Sequence, residues 1–290
     1  MLTITNLSKH FDSHCALKQV SFSVEPGTVL TILGPNGAGK TTLFKILAGL
    51  SHDYQGSICF GPDQKLQAHD IGFVFDSSRA FYPKLTAFEN LRYFGVLKGL
   101  SRRVAKDTAQ QLLLKFNLSD KARQQVQLLS RGMQQRLALC LSLISSPKVL
   151  LLDEPTLGLD IESQKELEAC IEQVKETGTI VLIATHQMDT AQRLGNYSLL
   201  LNKGEVVRFG NTQTLLASTS GEQYTITTQH TLPEVLPMQC ERLSEQSLRF
   251  DTAVSSLNEM LTLLTRFNIV TVERHQASLE GLIRRELNLL

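Results

Sequence analysis

Nine consecutive residues, Gly34-Pro35-Asn36-Gly37-Ala38-Gly39-Lys40-Thr41-Thr42, place four residues between Gly34 and Gly39 and follow them with a lysine and a hydroxyl. Glycines let backbone N–H groups converge on phosphate oxygens. The lysine then reaches the β- and γ-phosphates, Thr41 ligates Mg²⁺, and the positive end of the following helix adds to the attraction. A second group of reactive residues stands at the end of "VLLLDEP", where Asp153 and Glu154 are adjacent. Beside a nucleotide, Asp153 would hold Mg²⁺ and Glu154 would orient or deprotonate the attacking water; without one, the pair is an acidic turn after a core strand. His186 closes a third apolar run, "TIVLIATH". A lone histidine there is ordinarily a structural residue, but two phosphate motifs upstream make it a candidate for the same site.

These residues need particular elements behind them. "SFSVEPGTVLTILG" reads as two strands around a Pro26-Gly27 turn, the second running into the glycine loop and then a helix, "TTLFKILAGL". "KVLLLDEP" and "TIVLIATH" are short, wholly apolar and flank the amphipathic "ESQKELEACIEQVKETG", a βαβ unit with buried parallel strands. Ligands bind such sheets at the carboxyl ends of their strands, where Asp153, Glu154 and His186 all stand. Between these parts, residues 80 to 145 carry apolar side chains at helical spacing and form a helical insertion. After about Thr219 the pattern changes again. "YTITTQH", "SLRFDTA" and "IVTVERH" read as strands, "VSSLNEMLTLLTRFN" and "SLEGLIRREL" as helices. A boundary within "ASTSGEQ" gives one domain over 1–218 and an accessory α+β domain over 219–290.

With 290 residues the chain can bury a full core, and a net charge of +1 argues against a partner held by bulk charge, such as nucleic acid. Five scattered cysteines suit buried thiols in a reducing compartment better than disulfides or zinc. No apolar run approaches the roughly 18 residues of a membrane span, and the amino-terminal segment alternates like a strand rather than a signal peptide. The expectation is a soluble, cytoplasmic protein.

Taken in order, "GPNGAGKTT", "LLSRGMQQR" and "LLLDEPTLGLD" resemble the Walker A, signature and Walker B/D-loop segments of the nucleotide-binding subunits of ABC transporters, a likeness covering about residues 1 to 215. The resemblance implies an α/β P-loop ATPase fold with a helical subdomain, ATP and Mg²⁺ as ligands, and a catalytic pair of Glu154 and His186. It also implies adenine stacking on Phe11 and a D-loop closed by Asp160. Two copies of such a subunit dimerise head to tail, so that Ser130, Arg131, Gly132 and Met133 of one meet the nucleotide of the other. A hydroxyl, a backbone N–H and a helix N-terminus are all that a phosphate requires there. Taken alone, the same segment is equally a helix N-cap.

Two departures from the family pattern bear on function. Arg131 and Met133 replace glycine and glutamine, and Asp76 stands where most relatives carry a glutamine that contacts Mg²⁺ and water. Both resemble the ATPases of the ABC type 2 exporter class, whose permease subunits are separate integral membrane chains. The expectation is thus an ATPase held at the inner face of the membrane through its permease, with residues 79 to 91 as the docking surface. The alternative, a soluble ABC ATPase acting on ribosomes or nucleic acid, would ordinarily bring a second nucleotide domain, a long coiled coil or a zinc module. An adaptor that binds ATP without turnover is disfavoured by the presence of Lys40, Thr41, Asp153, Glu154 and His186.

Overall fold

The wholly apolar runs of the sequence become strands covered on both faces. A computed structural model describes residues 1–12, 14–61, 66–75, 81–217, 223–233, 240–252 and 257–275. The chain divides into two units, Met1–Gly210 and Asn211–Leu290. The first begins with β1 (Leu2–Phe11), β2 (His14–Val24), β3 (Val29–Leu33), α1 (Lys40–Leu47), β4 (Gln55–Phe60) and β5 (Ile71–Val74). Three helices follow, α2 (Ala87–Leu97), α3 (Arg102–Lys115) and α4 (Arg131–Leu143). The unit is completed by β6 (Val149–Asp153), α5 (Ile161–Lys175), β7 (Ile180–Thr185), α6 (Met188–Leu194), β8 (Tyr197–Asn202) and β9 (Glu205–Asn211).

The central sheet has the order β5-β6-β7-β3-β8-β9, and its pairings from β5 across to β8 are parallel. Because side chains alternate along a strand, each of the inner strands feeds two cores. Leu150, Leu152, Val181 and Ile183 face a core shared with α2, α3, α4 and α5. Val149, Leu151, Ile180 and Leu182 face the other, built with α1 and with the antiparallel sheet β2-β1-β4. The helical stretch between β5 and β6 is held to its starting points by caps: Thr86 and Glu89 form a reciprocal capping box on α2, and the Ser101 hydroxyl accepts from Val104 N–H on α3.

The second unit starts with α7 (Thr212–Ala217) and continues through β10 (Gln223–Thr228), β11 (Cys240–Arg242), β12 (Ser247–Asp251), α8 (Leu257–Leu264) and β13 (Ile269–His275). Its strands form an antiparallel sheet in the order β11-β12-β10-β13. Tyr224, Ile226, Leu232, Leu248, Phe250, Met260 and Leu264 are its buried core. The division between the units falls before Asn211, upstream of the boundary expected at 218/219. The Asn211 carboxamide oxygen accepts from the N–H groups of Gln213 and Thr214 at 3.0 and 3.2 Å, which starts α7. The expected closing helix "SLEGLIRREL" lies outside the described residues. Among the described residues, no helix is long and apolar enough to cross a membrane.

Candidate functional site

The glycine loop leaves the end of β3, a strand buried along its whole length, and turns directly into α1. Gly37 and Gly39 adopt φ values of 80° and 109°, which side chains rarely tolerate. A Cβ on Gly39 would stand 2.7 Å from the Ala16 carbonyl oxygen and 2.8 Å from Leu17 Cδ2, so the loop lies against β2 with no space for one. The Ala38 N–H donates to Pro35 O at 3.1 Å, and the Gly204 N–H donates to Ala38 O at 3.0 Å. Lys40 is buried, and its ammonium donates to the carbonyls of Gly34 and Pro35 at 2.6 and 3.1 Å. Burial pushes the Lys40 pKa down, against the pull of the nearby Glu154 and Asp153 carboxylates.

The carboxylates arrive from the next strands. Thr41, one residue into α1, donates its hydroxyl proton to Asp153 Oδ2 at 3.1 Å, bringing two oxygen groups from different elements together. Burial raises the Asp153 pKa above the usual carboxylate value; the Thr41 hydrogen bond opposes that and the Glu154 charge adds to it. Glu154 sits at φ 47°, and its N–H donates to the Ala184 carbonyl of β7 at 2.8 Å. That turn aims its side chain at the end of β7. There Thr185 Oγ1 donates to Oε2 at 3.0 Å, the His186 N–H donates to Oε1 at 3.1 Å, and His186 Nδ1 stands 2.7 Å from the same oxygen. Because the carboxylate only accepts, Nδ1 carries the proton of that bond, and Nε2 is left for another partner.

The signature segment is explained largely within the chain. Ser130 is the N-cap of α4, its hydroxyl accepting from the Met133 N–H at 3.3 Å. Gly132 is buried, and a Cβ there would stand 2.7 Å from Ser163 Cβ and closer still to Ser163 Oγ, so α4 and α5 touch at this residue. The buried Arg136 donates to Glu166 at 3.2 Å across the same pair of helices. Asp160 caps α5, accepting from Ser163 N–H and Ser163 Oγ at 2.9 Å each, and these bonds hold its pKa below the usual value.

A cleft of about 640 Å³ gathers most of these groups. Asn36 to Thr42, Asp153 and Glu154 line it together with Phe11 and His14. Phe11 is 49% exposed, and the Lys9 ammonium lies over its ring at 4.9 Å from the centroid. Gly34, Pro35 and His186 do not line it: the first two hold the Lys40 ammonium through their carbonyls, and His186 bonds to Glu154. Ser130, Gly132, Met133 and Asp160 do not line this cleft, whereas Arg131 does. Asp76 lies outside the described residues. Sequence reasoning missed His14, Ala16, Phe75, Gln135 and Leu157 on the cleft wall, and Thr185 behind Glu154. Thr185 had a visible signal, being the last residue of a buried strand beside His186.

A glycine loop between a buried parallel strand and a helix, with carboxylates at the neighbouring strand ends, defines a P-loop nucleotide-binding protein. The ABC transporter family model matches residues 17–157. The chain is 36% identical over 231 residues to the ABC transporter ATP-binding protein NatA of Bacillus subtilis (strain 168), covering 77% of this chain and 94% of that protein. It is 31% identical to the linearmycin resistance ATP-binding protein LnrL of the same organism, covering 77% and 73%. Among solved structures, the dimeric post-hydrolysis state of the ATP-binding cassette MJ0796 bound to ADP and Pi matches with a TM-score of 0.63 at 28% identity, covering 73% and 99%. Further relatives are named for lantibiotic transport, at 34% identity, and for Fe(3+) import, at 32%. The chain belongs to the ABC transporter family and is an ATP-binding, ATP-hydrolysing subunit of a transport system.

The contact between α4 and α5 makes Gly132 testable. Gly132→Ala is expected to destabilise the first unit by about 1–3 kcal/mol through overpacking. Removing the opposing side chain with Ser163→Gly should recover part of that loss in the double variant. Urea denaturation of the four chains measures both; a double variant with no recovery would show that Ser163 is not what excludes a side chain at 132.

Proposed function

We propose that two copies of this chain, each carrying the cleft described above, close on ATP and Mg²⁺ and hydrolyse ATP to drive a separate membrane permease in the direction of export. The observation that carries the proposal is the joining of three strand ends at one place: Thr41 to Asp153 at 3.1 Å, and Glu154 to His186 at 2.7 Å. The Thr41 hydroxyl and Asp153 carboxylate are hard oxygen donors and fit Mg²⁺, which would neutralise phosphate charge when bound. Lys40 and the loop N–H groups hold the phosphates, and Phe11 stacks on the base. Glu154 orients the attacking water and takes its proton, while Thr185 and His186 fix the carboxylate that does so.

Pairing is supported by what the single chain leaves open. Ser130 is exposed at the N-terminus of α4 and does not line the cleft of its own chain, so a second copy's nucleotide is its fitting partner. Permease docking is supported by the exposed aromatic surface beside the expected segment 79–91. Tyr82 packs on Tyr93 at 5.2 Å and on Phe94 at 5.8 Å, yet both tyrosines remain nearly half exposed. Export is supported by the Ser-Arg-Gly-Met signature, by Asp76 in the sequence, and by likeness to a protein named for linearmycin resistance. The residues after Gly210, which bring no phosphate motif, are assigned to assembly or regulation.

Two outcomes test this reading. With Glu154→Gln, hydrolysis is lost and Mg-ATP binding kept, so sedimentation at micromolar protein should show a dimer with ATP and a monomer without it. A monomer with ATP demonstrably bound would contradict self-pairing. The second concerns Asp153. Because its pKa is raised, a proton competes with Mg²⁺ at a higher pH than for an ordinary carboxylate, so Mg²⁺ affinity falls as pH is lowered. Titrating Mg²⁺ against the ATP-bound chain between about pH 8 and about pH 5 should show this loss, and Asp153→Asn should remove the protein's share of the pH dependence. Parallel curves for the two chains would show that Asp153 is not a metal ligand.

A further inference from the structure

We propose that Thr156 and Gln187 are positioning residues for hydrolysis: the hydrogen bond between them clamps the turn at Glu154 to the end of β7 and so aims its carboxylate. The proposal rests on the ATP site described above. Thr156 follows Glu154 and Pro155 and is completely buried. Its hydroxyl donates at 2.7 Å to Oε1 of Gln187, the residue next to His186. The buried Thr190 of α6 donates to the same oxygen at 3.3 Å. On its other side, the Gln187 N–H donates to Thr185 Oγ1 at 3.0 Å, and that hydroxyl donates in turn to Glu154 Oε2 at 3.0 Å. The bonds close a ring: Glu154 through Pro155 to Thr156, across to Gln187, on to Thr185 and back to the Glu154 carboxylate.

Glu154 needs such a clamp because its backbone is strained. Its φ of 47° lies in the left-handed region that side chains disfavour, and a residue stays there only where its surroundings over-determine it. The bond from the Glu154 N–H to Ala184 O at 2.8 Å holds the turn on one side. On the other side the ring of Pro155 restricts rotation, so fixing Thr156 fixes the turn as a whole. Any acceptor would satisfy the buried Thr156 hydroxyl, but Gln187 also donates to the hydroxyl that bonds the Glu154 carboxylate. The turn and the side chain of Glu154 are thereby tied to one residue, and the oxygen that orients water is held against small displacements that would slow the reaction.

The test compares the full chain with its Thr156→Val, Thr156→Ser and Glu154→Gln variants in steady-state and single-turnover hydrolysis of Mg-ATP. Valine keeps the shape of threonine and orphans no acceptor, because Gln187 Oε1 still accepts from Thr190, so an unchanged urea unfolding curve is expected. Thr156→Val should lower kcat about tenfold and change KM less than about twofold. Thr156→Ser, which keeps the hydroxyl, should stay within about twofold of the unaltered chain. In a chain already carrying Glu154→Gln, Thr156→Val should cost no further rate, since the carboxylate it positions is gone. An unchanged kcat for Thr156→Val would overturn the proposal, as would an equal loss for Thr156→Ser. The same loss repeated in the Glu154→Gln chain would overturn it too, placing the effect of Thr156 elsewhere. Those outcomes leave the ATP site standing; a Glu154→Gln chain that hydrolysed ATP at the unaltered rate would bring down the reading of the site itself, and this proposal with it.

Discussion

The site depends on one constraint: β3, β6 and β7 run parallel and are buried on both faces. Parallel strands end at the same edge of a sheet, so Asp153 and His186 are delivered to the phosphate loop, which lies more than a hundred positions before either of them in the chain. The cost is that the inner side chains of these strands are apolar, because there is a core on each side, apart from the buried Thr31 of β3, whose hydroxyl donates to the Tyr197 carbonyl at 3.2 Å. Beyond the strand ends polar groups follow: Asn36, Lys40 and Thr41 after β3, Asp153 and Glu154 at the end of β6, and Thr185 at the end of β7. They are close to each other because none of them can retreat into the sheet.

A second constraint is close approach of backbone, and glycine meets it in two places. At Gly39 the loop lies against Ala16 and Leu17, which fixes its direction before any phosphate binds. At Gly132 the signature helix lies against Ser163, which fixes α4 relative to the loop that carries Asp160. Asp160 therefore organises two things at once: it caps α5 and holds the Ser163 hydroxyl that Gly132 packs on. Asp160 and the segment at the start of α4 are thus joined through Ser163 within a single chain.

The parts legible in the sequence are those set by local pattern. "VLLLDEP" and "TIVLIATH" announced buried strands by being apolar throughout, and "GPNGAGKTT" announced its loop through glycine spacing. The illegible parts depend on contacts between distant residues. Ser130 as a cap could be read from its neighbours, but the reason for Gly132 required knowing that Ser163 lies opposite. The polar stretch at 218–221 looks like a linker in the sequence, whereas the two units divide before Asn211, whose side chain starts a short helix. Strand β11, three residues long, is too short to carry a period of its own and exists by pairing with β12.

The central claim is that Glu154 and His186 form one hydrolytic unit, joined by the 2.7 Å bond between Oε1 and Nδ1. A double-mutant cycle on single-turnover ATP hydrolysis, using Glu154→Gln, His186→Ala and both together, tests it most directly. The account predicts strong non-additivity: each single variant loses about as much rate as the double, because either change dismantles the same pair. Additive losses, with the double variant slower by the product of the single effects, would contradict it and show two groups acting independently on the reaction.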